Sequence, residues 1–460
     1  MKFSLSVIFI VLSILEIQAQ QVSNPADTMH FSDYLKKGKW STQVRNYTMF
    51  TDNRVPLTDY HANALGIGMS YKTKAWKGFQ VGFGGSFVYN TWSSKLSIAD
   101  SLTGQFNRYE IGLFDIENPS QALIGRIEEL YIKYHVPKLS ITFGKQKLVT
   151  PWINPQDGRM RPNFQEGLYI EMPDIKKVKI EIAWLYRFLV RSTENWLSIA
   201  QSIGQYPVGI TPDGVRSGYK NNLTSKGIGL LGLTYSPLEN IKMQVWHYYT
   251  HNIFNTSFLQ VEMAIPTKNK TKEAIFGLQG HYQTSVGNGG NENPLMAYTQ
   301  KNHTSWAISS RIGLKTNGQQ ITFNYTHIGK HDRFLFPREW GRDPFYTFLP
   351  RERNEGFGGV NAVMFQWSQN FKKLNSKLEI GYGHYYLSDV NNSSLNKYGF
   401  PSYQQLNINF IHHFKGIFEG LQGQLLYVYK GRLGETYQNP RFEFNKVNMS
   451  LYNIIFNYNF

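Results

Sequence analysis

Cysteine is absent from all 460 residues, which rules out disulfides and thiolate metal sites. Long apolar runs are also missing once the first 19 residues are passed, so no helix of the chain could cross a bilayer. Acidic residues are scarce, 32 against 48 Lys and Arg, and the net charge is +16. What is present is 15% aromatics and 40 glycines, in a chain of negative mean hydropathy. Strands of a membrane barrel are apolar only at every second position and average out as polar, so this composition excludes a helical membrane protein and leaves a β-barrel open.

The chain opens MKFSLSVIFIVLSILEIQAQ, with one lysine, an apolar run from Phe3 to Leu15 and a small residue at Ala19. A run of about 13 residues is too short to span a membrane, which takes roughly 20, and reads as a secretory signal over residues 1–19. No cysteine follows to carry a lipid anchor, and removing the leader takes away Lys2 and Glu16 together, leaving the charge at +16. Residues 20–38 read as a short periplasmic lead-in and 39–460 as one barrel domain.

Near the carboxyl end, Tyr452, Ile454, Phe456, Tyr458 and Phe460 share one parity, while Asn453, Asn457 and Asn459 take the other. Successive side chains of a strand point to opposite faces, so one face is apolar and the other amide-rich. The pattern resembles the closing strand of bacterial outer-membrane barrels, in which a terminal aromatic serves as an assembly signal, here Phe460 with Tyr458. The same alternation recurs. Val178, Ile180, Ile182, Trp184, Tyr186 and Phe188 oppose Lys177, Lys179, Glu181, Arg187 and Arg191. Trp306, Ile308, Ile312 and Leu314 oppose Ser309 and Arg311, and Leu130, Ile132 and Tyr134 oppose Glu129, Tyr131 and Lys133.

Short turns at Pro137–Lys138 and from Pro173, Pro237, Thr316 and Lys415 alternate with long polar links near 92–121, 150–164, 191–225, 285–303, 328–358, 388–403 and 431–445. That alternation is a property of outer-membrane barrels. Strand starts near 39, 62, 79, 122, 139, 165, 177, 226, 240, 257, 272, 304, 319, 359, 376, 404, 420 and 446 predict an all-β antiparallel barrel of about 18 strands, with 16 as the alternative.

A cation facing lipid at mid-membrane costs roughly 2–4 kcal/mol. Arg45, Lys133, Lys179, Arg187 and Arg311, set opposite apolar faces, are therefore expected in the lumen, where a basic lining concentrates anions. No GxSxG, GxxxxGK[ST] or HExxH occurs. His412 and His413 point to opposite faces and do not make a metal site, and GFGG at Gly82–Gly85 and Gly356–Gly359 reads as close packing in strands. No enzyme, metal or cofactor is expected. Basic residues form no compact face, which argues against nucleic acid.

LVTPWINPQDGRMRPNF, Leu148–Phe164, stands out for its prolines and arginines. The longer stretch FGKQKLVTPWINPQDGRMRPNFQEGLYIE from Phe143, together with DYHANALGIGMSYKTKAWKGFQVGFGG from Asp59 and PREWGRDPFYTFLPRERNEGFGG from Pro337, resembles the OprD family of substrate-specific porins. The resemblance implies an 18-stranded monomeric barrel in the Gram-negative outer membrane, narrowed by inward loops, with a ladder of cations guiding small carboxylate-bearing solutes. It places Asp157, Arg159 and Arg161 in an inward constriction loop near 150–164, with Arg159 on the ladder, and Arg338, Arg342, Arg351 and Arg353 in a second loop over 328–358. Arg342 with Asp343 is expected to be a pair that locks that loop. The expected partners are small solutes in transit, outer-membrane lipid and lipopolysaccharide, and the barrel-assembly machinery. Transport of an acidic polysaccharide is the alternative function, and an outer-membrane enzyme or adhesin the third.

Overall fold

The computed structural model describes residues 31–155, 159–267, 271–351 and 353–460; the signal at 1–19, most of the lead-in and Asp157 lie outside the described residues. Among the described residues a short helix, α1 (Phe31–Lys36), precedes nineteen strands. These are β1 (Lys39–Asn53), β2 (Tyr60–Lys72), β3 (Phe79–Ser93), β4 (Leu123–Val136), β5 (Leu139–Gln146), β6 (Phe164–Ile175), β7 (Val178–Leu189), β8 (Leu197–Ser198), β9 (Ile228–Leu238) and β10 (Ile241–Thr250). The rest are β11 (Phe254–Pro266), β12 (Lys272–Ser285), β13 (Thr304–Thr316), β14 (Gln319–Ile328), β15 (Asn361–Phe371), β16 (Ser376–Tyr386), β17 (Tyr403–His413), β18 (Leu421–Arg432) and β19 (Met449–Asn459). The two residues of β8 pair with Arg187 and Phe188 near the end of β7, which pairs with β9 from Val178 to Leu185. Setting β8 aside, the other eighteen antiparallel strands form one ring, closed by β1 against β19 from Gln43↔Asn459 to Asn53↔Met449.

Closure removes every sheet edge. The outer wall carries the alternating apolar set: Tyr452, Ile454, Phe456, Tyr458 and Phe460 all face outward, as do Trp306, Ile308, Ile312 and Leu314. Glycines let large inner side chains lie flat; a Cβ on Gly82 would sit 2.3 Å from the Tyr131 ring. The second GFGG is different. It lies in the 329–360 loop rather than in a strand, with Gly356 at φ +91° and Gly359 at φ +68°, and its Phe357 is buried between bridges to Phe334 and Asn396.

A core fills part of the lumen, and the long loops build it. Trp152 stacks on Phe334 and Phe336 with centroids 5.3 and 4.6 Å apart, and Trp340 stacks on Phe188 at 5.4 Å. A second cluster joins Tyr47 and Met49 of β1 to Leu113, Phe114 and Met160. The 147–163 loop thus has Trp152 and Ile153 in one cluster and Met160 in the other.

Candidate functional site

Four loops converge on a cavity of about 630 Å³. Arg108 comes from 94–122, Arg159 from 147–163, Arg191, Arg216 and Lys220 from 190–227, and Arg338, Arg342, Arg351 and Arg353 from 329–360. These nine cations share the lining with Leu96, Phe106, Ile111, Ile116, Val208 and Phe348; no carboxylate is present among its described residues.

Five of the arginines have identifiable contacts. Arg159 crosses so close to Gly112 that a Cβ there would lie 2.5 Å from its Nε, and its carbonyl accepts from Arg45 Nη1 at 2.7 Å. Arg338 donates to Glu355 at 2.6 Å and lies 3.8 Å from the centre of the Tyr398 ring. Arg351, at φ +74°, donates to Tyr47 Oη at 2.5 Å and to Asn453 at 2.8 Å. Arg191 Nε donates to Tyr206 Oη at 2.8 Å. Arg342 is exposed, its guanidinium 5.6 Å from the Phe348 ring centre. Burial first, then the like charges of Arg351 and Arg191, push the Arg159 guanidinium well below its ordinary pKa. Burial also lowers Arg108, with Arg338 adding repulsion, and Arg191, with Arg353 and Arg351 adding theirs.

Two expected roles change. Asp343 pairs with Arg353 at 3.0 Å, not with its neighbour Arg342, because Asp343 turns inward to accept from the backbone of Asn354 and Glu355 while Arg342 turns to the cavity. Arg187 faces out of the barrel rather than into it. Glu166 pairs with Arg187 but Gly167 with Leu185, so Tyr186 is an extra residue in the ladder and parity flips beyond it. Arg187 stands 53% exposed beside Glu166 at 3.9 Å, and Phe188 turns into the core.

The remaining expected cations face inward but not into this cavity. Arg45 donates to Asn457 at 2.6 Å. Arg161 forks onto Glu128 and donates to Gln43 at 3.1 Å, tying the loop to the wall, and both it and Arg45 line a second space of about 320 Å³. Lys179 bridges Glu171 at 2.9 Å and Glu181 at 3.1 Å, while Arg311 bonds Asn324 at 3.0 Å under the Tyr346 ring. Lys133 faces the same way, opposite Thr142. Tyr458 and Phe460 stay on the outer wall with their rings 5.3 Å apart.

Sequence reasoning missed Arg108, Arg216 and Lys220, which sit in long links without a motif, and assigned Arg191 to a strand that ends at Leu189. The only available signal was an arginine between aromatic residues, Phe106 and Tyr109 beside Arg108, within a link too long to be a simple turn.

A family model described as outer membrane porin, OprD family, matches residues 32–375. Solved structures share the fold at low identity. Pseudomonas aeruginosa OpdK, solved with vanillate, has a TM-score of 0.70 at 12% identity, covering 93% of this chain and 99% of that one. Acinetobacter baumannii OccAB2 gives 0.71 at 14%, covering 93% and 98%, and Pseudomonas aeruginosa OccK9 (OpdG) gives 0.72 at 12%, covering 93% and 99%. No curated protein sequence matches the chain. With the family model covering most of its length and a closed barrel of eighteen strands, the chain belongs to the OprD family of bacterial outer-membrane porins.

Proposed function

We propose that this porin gives passive, selective diffusion of small water-soluble anions, carboxylate-bearing ones foremost, through a basic channel whose narrow part is built by the 147–163 and 329–360 loops. The observation that carries the reading is the cavity with nine cations and no carboxylate among its described lining residues. In a confined, low-dielectric passage such a lining raises the local anion concentration, and each guanidinium offers a planar fork that fits a carboxylate. OpdK, which shares the fold, was solved with vanillate, itself a carboxylate. Prolines at 151, 155 and 162 suit the constriction role by limiting the freedom of a loop that must stay inside the barrel. Export by a leader over 1–19, and Phe460 with Tyr458 as the assembly signal, complete the proposal.

Reconstitution in planar bilayers under a KCl gradient tests it. The reversal potential is expected to show anion preference, and Arg159→Ala to raise conductance and weaken that preference. A cation-selective or silent barrel would remove the reading. Polysaccharide passage has no support from a lumen partly filled by packed loops.

A further inference from the structure

We infer that the solute this cavity is shaped for carries two or more anionic groups on an apolar body, as an aromatic dicarboxylate does. The inference rests on the anion reading above and adds the number of charges and what joins them.

The first observation is a surplus of positive charge. Of the nine lining cations, Arg338 and Arg353 are matched by Glu355 and Asp343. Arg108, Arg191 and Arg342 make no salt bridge among the described residues, and they come from three different loops. One carboxylate occupies one guanidinium fork, or two at most. Bound there, it leaves the remaining cations without a counter-charge; Arg108 and Arg191 are lowered first by burial and then by their cationic neighbours, Arg338 for the one and Arg353 and Arg351 for the other. A second anionic group on the same molecule relieves that repulsion without a second loss of translational freedom.

The second observation is the apolar part of the lining. Leu96, Phe106, Ile111, Val208 and Phe348 present apolar surface to the same space. A short, fully hydrated dianion cannot cover that surface, whereas a ring can. Aromatic faces also orient the cations: Arg342 lies over Phe348, Arg191 over Tyr206 at 5.1 Å, and Arg108 over Phe400 at 4.9 Å. Release stays possible because Arg342, Arg216 and Lys220 are exposed to water, which weakens each contact they make.

The test uses the full-length porin in planar bilayers at pH 7.5, with terephthalate, benzoate and succinate as probes and the concentration that halves the KCl current as the readout. Terephthalate is expected to act at least tenfold below either of the others. Arg342→Gln, a change at an exposed side chain of the cavity, is expected to weaken terephthalate more than benzoate and so to cut the preference between them at least threefold. Benzoate acting within twofold of terephthalate, in a channel whose reversal potential is still anion-selective, overturns the inference and leaves the anion reading standing. Succinate acting as well as terephthalate overturns it too, because the apolar wall then contributes nothing. A cation-selective reversal potential removes both.

Discussion

Glu128 is the residue on which the inner wall and the 147–163 loop meet. The residue is 2% exposed, and its carboxylate accepts from Ser86 at 2.8 Å and from the Arg161 fork and has Arg126 at 3.5 Å. A buried ion pair is weak evidence for stability, but breaking one leaves a charge stranded. Arg161→Ala is expected to cost about 3 kcal/mol, the low end of the range for such losses because Arg126 remains, measured by denaturant unfolding in micelles. Arg161→Lys keeps the charge, loses the fork, and should fall between. Lys446 gives a pH signature in the 433–448 loop. Burial, then repulsion from Arg108, lowers its pKa to about 7, while its Nζ donates to the Arg441 carbonyl at 2.7 Å. Between about pH 7 and the ordinary lysine value near 10.4 the unfolded chain binds more protons than the folded one, so stability should rise with pH across that window. Thermal unfolding from pH 7 to 10 should show that rise, and Lys446→Met should flatten it. Residue-level directions were legible only where the ladder is regular. Glu128 shares parity with the outward Leu130 yet points in, because a bulge opposite Gly84 and Gly85 shifts the register there, as Tyr186 does for Arg187.

At the level of elements, the two inward loops are fastened by one asparagine. Asn154 donates to the Arg342 carbonyl and accepts from the Arg342 amide, both at 3.0 Å, while its own amide nitrogen donates to the Trp340 carbonyl at 3.1 Å. Trp340 in turn is fully buried and donates from Nε1 to Ser202 at 2.8 Å. Asn154→Ala removes both side-chain bonds and leaves the Arg342 amide and carbonyl without those partners, so the 329–360 loop should be nicked faster by added protease and open-channel current noise should increase. An unchanged digestion pattern would show that the aromatic stack alone holds the loop. The loops were legible as loops, since their prolines, polarity and length mark them out. That Trp152, Phe334, Phe336 and Trp340 meet inside the barrel was not, because contacts between residues so far apart in the chain leave no periodic trace in either segment.

For the whole molecule, the apolar wall and the closed ring follow from one period. A repeat of two, broken by turns that alternate short and long, was enough to place eighteen strands, and their starts fall within a few residues of the expected positions. Phe323, at the middle of β14 and 59% exposed on the outer face, tests the membrane seat of that wall. Phe323→Arg should cost about 2–4 kcal/mol in lipid and lower the folded fraction, read as the heat-modifiable band on a gel, whereas Phe323→Leu should be neutral. The seam has a consequence in time. β1 pairs with β2 on one side and with β19 on the other, so the ring cannot close until β1 meets a strand from the far end of the sequence. Until β19 arrives, β1 keeps a row of unpaired amides on one flank, the exposed edge most prone to pairing with a stranger. Shielding that flank is therefore a problem of assembly rather than of the finished barrel.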